Sequence, residues 1–441
     1  MEYNIKDASG KNTRGQPEER TGKVLNMDII EELMHGAAER FLSYISIGTA
    51  SCEDTGMHPS TTKQFDLARK LLSELELIGI PREKLFFDEE HCYVYASIDG
   101  DPALPKIGFI SHMDTSPESS GDNIRPQIIK DYDGKDIVLG TSGKTLSPSS
   151  FPELKDYIGQ TIITTDGTTL LGADDKAGIA EIMTMASYLL SHPEIRHGDI
   201  RIAFTPDEEI GEGTEFFDIE RFGADFAYTV DGGRIGEISY ENFNAASCRI
   251  KVQGINIHPG EAFGKMINSQ RAALSIDAGI PETQRPETTK DREGFFHLIS
   301  IEGSVNETVM NYIIRDHDKK LFEQKKEFIK ELCAKAEAQY PGLITEVTIR
   351  DTYYNMRDVI VPDHIHIVNA AIAAMEKSGI NPVIEPVRGG TDGAMLSYKG
   401  LPCPNLCAGG HNFHGVYEYI PAESMGKISY LLINIAAYTS R

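Results

Sequence analysis

A few imidazoles and carboxylates stand at revealing places in this chain. His112-Met113-Asp114 follows the apolar run KIGFIS, and Asp174-Asp175 follows TTDGTTLLG. Asp207-Glu208-Glu209 follows DIRIAFT, Asp231 follows FAYTV, and His411-Asn-Phe-His414-Gly415 follows PCPNLCAGG. Imidazole nitrogen with carboxylate oxygen is a donor set for zinc, with cobalt and manganese as substitutes. Taken singly, an HxD is an ordinary surface pair, a Glu-Glu a solvated face and Asp231-Gly232-Gly233 a turn. Their recurrence where successive apolar runs end is what points to a site.

Those runs are the elements that must position the donors. KIGFIS, DIRIAFT and FAYTV read as buried strands, and KAGIAEIMTMASYLL reads as a helix between the first two. PVIEPV and PCPNLCA come later, after a helix over about 363–378. This alternation predicts an α/β domain on a mostly parallel sheet covered on both faces. Open sheets of this kind bind ligands beyond the carboxyl ends of their strands, where these residues stand. Between about Tyr240 and Thr352 the order changes to strand–helix–strand–strand–helix–strand, a split βαβ (ferredoxin-like) unit inserted into the first domain. Residues 1–26 lack a hydrophobic period and read as a flexible extension, with helical spacing beginning at Met27. The organisation expected is therefore a catalytic domain of 27–240 and 354–441 with an inserted lid of 241–353.

The chain has 441 residues, 43 Lys plus Arg and 67 Asp plus Glu, for a net charge of −24. That charge repels nucleic acid and anionic membranes, so neither is an expected partner. Its six cysteines are scattered without CxxC spacing, which argues against a disulfide scaffold. The polar N-terminus carries no apolar leader core, and the expected compartment is the cytoplasm.

The segments SHMDTSP, TTDGTTLLGADDKAGIAEI, FTPDEEIGEGT, YTVDGG, HPGEAFGKMINS and RGGTDGAMLS resemble the peptidase T family from about Met27 to the C-terminus. These are bacterial tripeptide aminopeptidases, relatives of carboxypeptidase G and succinyl-diaminopimelate desuccinylase. The resemblance implies two Zn2+ per chain, with Co2+ or Mn2+ as possible substitutes, and short peptides, preferably tripeptides with a free N-terminus, as substrates. It implies that His112 binds one metal while Asp114 holds its other ring nitrogen. Asp174 bridges the metals and is followed by a cis peptide bond. Glu209 completes the first metal's set, and Asp231 and His414 supply the rest. His411 competes with His414, but Gly415 matches the HG of the family. Glu208 remains as the general base for a water shared by the metals. His258 would approach the reacting carbonyl, and Arg315 or Arg388 would hold the peptide carboxylate, unless each is an ordinary turn or ion-pair residue. A dipeptidase or an N-acyl amino acid hydrolase on the same scaffold is the alternative activity. A peptide-binding protein with a degenerate site is the rival of another class. A monomer and a homodimer are both compatible with the sequence.

Overall fold

The computed structural model describes residues 17–437, with side chains from residue 27 onward. The first helix spans Pro17–Tyr44 and buries Leu33, Ala37 and Phe41, a stripe at four-residue spacing. This helix begins within the segment 1–26. Pro17-Glu18-Glu19 is itself a helix-start sequence, because proline suits a first turn and acidic residues suit the positive end of the dipole. Residues 1–16 lie outside the described residues.

Eight strands make the central sheet, in the order Leu85–Phe87, Val94–Ile98, Ile200–Thr205, Ile107–His112, Phe226–Gly232, Asn405–Cys407, Glu237–Ser239 and Val383–Ile384. Its centre is parallel, from Ile200–Thr205 across to Asn405–Cys407. Antiparallel pairings flank that centre, so the sheet is mixed. Every residue of Ile107–His112 is buried, as expected of a strand covered on both faces. On one face lies the main core, which includes the helices Ala173–Ser191 and Ala422–Ala436. A smaller core around Tyr93, Ile110, Phe222 and Leu396 covers the other.

Gly178 is what lets the helix Ala173–Ser191 lie so close to the sheet. A Cβ there would come within 2.0 Å of the Val230 carbonyl oxygen. The close approach seats the head of the helix, with Asp174, beside the end of the strand that bears Asp231.

A second sheet, antiparallel, is built from Phe295–Gly303, Glu307–Asp316, Asn244–Gln253 and Ile344–Tyr353 in that order. Burial alternates residue by residue along Glu307–Asp316, the pattern of a strand with one covered face. The helices Ser269–Asp277 and Lys319–Gln339 supply the cover, with a core of their own around Ile250, Ile276, Met310, Ile314 and Phe322. Where the chain enters and leaves this unit, buried asparagines lock the two crossings together. Asn242 N–H donates to Asn355 Oδ1 (3.1 Å), Asn355 N–H to Asn244 Oδ1 (3.0 Å) and Met356 N–H to Asn242 Oδ1 (2.7 Å).

Two further small sheets have no counterpart in the sequence reading. Gln127–Ile129, Ile162–Thr164 and Tyr419–Pro421 form one, and the hairpin of Ile137–Leu139 with Lys144–Leu146 forms the other. Strands of three residues carry too little periodicity to be read in advance.

Candidate metal centre

His112 ends its strand with a side chain only 2% exposed. Its Nδ1 lies 3.2 Å from Asp114 Oδ1 and 3.1 Å from the Asp114 carbonyl oxygen. The Asp114 carboxylate also accepts the N–H groups of Glu208 (3.0 Å) and Glu209 (3.1 Å). One carboxylate thus orients the imidazole and the two glutamates together. A proton on Nδ1, facing these acceptors, leaves Nε2 as the donor atom.

That Nε2 faces Asp174 Oδ1 at 2.9 Å and Asp231 Oδ1 at 3.3 Å. Across the site, His414 Nε2 faces Asp174 Oδ2 at 3.2 Å and Glu209 Oε2 at 3.0 Å. Each triad has one nitrogen and two oxygens, and Asp174 gives one oxygen to each. Donors about 2.0–2.1 Å from a tetrahedral zinc stand about 3.3 Å apart, close to these separations. Atoms of His112, Asp174 and Glu209 also fall within 4.8 Å of one another. The closest contacts nevertheless pair Asp231 with His112 and Glu209 with His414, which exchanges Glu209 and Asp231 relative to the expected sets. The peptide bond from Asp174 to Asp175 is cis.

Charge gives a second test of fit. Burial pushes Glu209 up to about 7, with the Asp174 charge adding to it, and Asp231 to about 6. Burial and then the Asp231 charge raise Glu208 well above the carboxylate range. Burial opposes ionisation of Asp174, but hydrogen bonds to His112 and His414 overcome it and hold that carboxyl low. Hydrogen bonds to Asp174 and Glu209 raise His414 to about 11. Glu209 Oε1 is buried without a hydrogen-bond partner. Crowded carboxylates and a spare buried oxygen are what a pair of divalent cations would neutralise.

Of the remaining residues singled out by sequence, His411 is elsewhere. Its Nε2 meets Tyr157 Oη at 2.7 Å and its ring stacks on Tyr419. Asp207 is an anchor, with a buried carboxylate that accepts from Ser60 N–H, Ser60 Oγ–H and Gln64 Nε2–H. Asp175 sits beneath the site, where Oδ2 accepts the His112 N–H at 3.3 Å.

A cleft of about 590 Å³ opens from the centre toward the second sheet and is lined by Glu208, Arg315, Tyr353, Asp392 and His414 among others. Arg315 donates from Nη1 to the Arg388 carbonyl (2.9 Å), while its buried Nε has no partner, as is also true of Tyr353 Oη. Arg388 does not line the cleft. Its guanidinium donates to the carbonyls of Asp291 and Thr289 and lies over the Phe243 ring. His258 is exposed on the loop after Asn244–Gln253, with Nδ1 accepting the Gly260 N–H. Ten residues at about 3.4 Å each set that loop about 30 Å beyond the start of the strand, whose first residues line the cleft.

The family profile described as "Peptidase family M20/M25/M40" matches residues 166–437. Peptidase T of Alkaliphilus oremlandii (strain OhILAs) is 51% identical over 413 residues, 92% of this chain and 100% of that protein. The chain belongs to peptidase family M20/M25/M40. Its fold is shared with the aminopeptidase PepT of Bacillus cereus ATCC 10987 (TM-score 0.73, 23% identity, 92% of this chain and 98% of that one). A tripeptidase of Staphylococcus aureus subsp. aureus Mu50 is similar to the same extent (TM-score 0.72, 19% identity, 92% and 98%).

Three buried residues of this M20 peptidase escaped the sequence reading. Glu418 receives the N–H groups of Leu171 (2.5 Å), Gly172 (2.9 Å), Ala173 (2.7 Å) and Asp174 (3.2 Å), and so holds the turn that presents Asp174. Lys176 is fully buried beside this turn and donates to the Ile47 carbonyl. Asp392 lines the cleft and accepts from Thr205 Oγ1. Glu418→Ala should lower both the melting temperature and metal affinity. Each donor that water does not reach costs on the order of 1–3 kcal/mol. Glu418→Gln, which keeps one acceptor oxygen, should lose less of both. Thermal unfolding with metal titration of the two variants checks the order.

Proposed function

We propose that this chain is a two-metal aminopeptidase that releases the N-terminal residue of tripeptides. The observation carrying the proposal is the pair of N/O/O triads sharing Asp174, with Glu208 beside them at the cleft. The M20 membership and the peptidase T relative support the same reaction. We assign 27–240 and 354–441 to the catalytic domain and 241–353 to a lid over the cleft.

In this reading His112, Asp174 and Asp231 hold one ion and Asp174, Glu209 and His414 the other, with zinc favoured by the nitrogen and oxygen donors. When bound, the ions polarise the scissile carbonyl and acidify water. Glu208 takes the proton from the attacking water and passes it to the leaving amine. The bond from its backbone N–H to Asp114 fixes its position. Asp114 keeps the His112 ring in one tautomer.

The cleft joins a carboxylate-rich end, Glu208, Glu209 and Asp392, to the guanidinium of Arg315. Such a pairing suits a zwitterion of limited length. Arg315 Nε and Tyr353 Oη, on two residues that line the cleft, are buried without a hydrogen-bond partner. Arg388 serves the lid instead, and His258, outside the cleft, is given no step. The compartment proposed is the cytoplasm, where six free cysteines would be kept reduced. None of the helices among the described residues is long and apolar enough to cross a membrane.

A panel of free, N-acetylated and C-amidated di- and tripeptides tests this function. Free tripeptides should give the highest kcat/KM, with cleavage at the first bond. Faster hydrolysis of N-acylated amino acids would favour the acylase alternative. Arg315→Met should raise KM for free tripeptides about tenfold or more, since hydrogen bonds to charged groups contribute about 1.5–3 kcal/mol. It should leave C-amidated tripeptides little changed. Equal losses on both would remove Arg315 from carboxylate recognition.

A further inference from the structure

We infer that the chain carries an additional divalent-cation site, outside the catalytic centre, formed by His58 Nδ1, Asp207 Oδ2 and Glu212 Oε2. It lies at the base of the turn that bears Glu208 and Glu209, shares no donor with either triad and does not depend on the peptidase reading.

The neighbours of His58 set its tautomer. The ring is 8% exposed and packs against Tyr93 and Phe216, with centroids 5.8 and 4.9 Å away. Its Nε2 lies 3.3 Å from Tyr93 Oη. That hydroxyl spends its own proton on the Gly213 carbonyl, 3.1 Å away, so toward His58 its oxygen accepts. The ring proton is therefore on Nε2, and Nδ1 presents a lone pair.

This Nδ1 is buried and makes no hydrogen bond. It faces Asp207 Oδ2 at 3.4 Å and Glu212 Oε2 at 3.9 Å. A lone pair aimed at two anionic oxygens is repulsive unless a positive charge stands between them. A divalent cation between the three would supply that charge and give the buried Nδ1 its missing partner. The three atoms lie within 4.8 Å of one another. Separations of 3.4 and 3.9 Å lie at and above the roughly 3.3 Å between donors held about 2 Å from a tetrahedral ion, so closing on one asks the exposed Glu212 to move inward.

Both carboxylates can serve. Asp207 Oδ1 is taken by Ser60 Oγ–H and Gln64 Nε2–H, whereas Oδ2 accepts only the Ser60 N–H and keeps a lone pair. Glu212 is 52% exposed and makes no side-chain hydrogen bond among the described residues, so it can turn onto an ion. Beyond it opens a pocket of about 710 Å³, lined by Asp54, Glu90, His91 and Glu215 among others, from which water could complete the coordination. One nitrogen and two oxygens with water select zinc, cobalt or a similar borderline ion.

The site closes a loop that matters. Asp207 and Glu212 bracket the segment of Glu208 and Glu209, and the Glu212 N–H already donates to the Asp207 carbonyl at 2.9 Å. An ion joining their side chains to His58 would stiffen the support of the general base, making occupancy a means of tuning turnover.

Cobalt titration of the metal-stripped, full-length enzyme tests this, followed by calorimetry and visible absorption. The wild type should take up three ions per chain. His58→Gln and Glu212→Gln should each weaken one binding step at least tenfold and keep the other two, together with peptidase activity at two equivalents. Glu212 is half exposed, so its variant reads the site even if His58→Gln folds poorly. A wild type that saturates at two ions, or two variants that both keep a third, would overturn the inference. So would a nitrogen NMR spectrum with His58 Nδ1 protonated at neutral pH. Loss of the two ions common to all three proteins would instead count against the catalytic centre.

Discussion

Glu208→Gln should lower kcat by about 10²–10⁴-fold, the usual contribution of a positioned general acid–base group, with metal content unchanged. The amide has nearly the shape of the carboxyl and leaves the backbone bond to Asp114 in place. It cannot take a proton, so the loss belongs to kcat more than to KM. The side chain belongs to neither triad, so the metal-binding isotherm of the variant should overlay that of the wild type. A variant with near-normal kcat would move the base elsewhere. Loss of metal with loss of activity would make Glu208 a ligand.

Asp174→Ala is the complementary change, with the larger effect on metal. Its two oxygens face the two imidazoles, 2.9 Å from His112 Nε2 and 3.2 Å from His414 Nε2. Removing them takes a donor from both triads at once. Both ions should bind more than about 100-fold more weakly, beyond the 10–100-fold that partners behind the ligands typically cost. Activity on tripeptides should fall below detection at stoichiometric metal. Asp231→Ala and Glu209→Ala each remove a donor from one triad and should weaken one ion selectively. Equal weakening of both ions by either change would contradict the pairing read from the contact distances.

The strand ends were legible because their signal is local. A buried apolar run ending in His112-x-Asp114 or Asp207-Glu208-Glu209 is visible in a few residues, and the parallel sheet then brings those ends to one edge. The element order of the inserted unit was legible for the same reason. What escaped depends on long-range contact. Glu418 holds Gly172, 246 residues away in sequence, from the position just before a three-residue strand with no periodicity of its own. Arg315 and Arg388 look alike in sequence, and only the fold sends one into the cleft and the other onto the carbonyls of 289–293. His258 shows the converse. Its motif drew attention, but the length of Asn244–Gln253 carries it away from the metal centre.

In the proposed function, two ions at the shared-Asp174 centre make this chain a peptidase. Zinc titration of the metal-stripped enzyme, with first-bond cleavage of a free tripeptide measured at each step, tests it most directly. Activity should be absent without metal, rise with occupancy of the two triads and change little with further zinc in the Glu212→Gln variant. Full turnover in a preparation shown by elemental analysis to be metal-free, or a plateau at one ion per chain, would contradict the account.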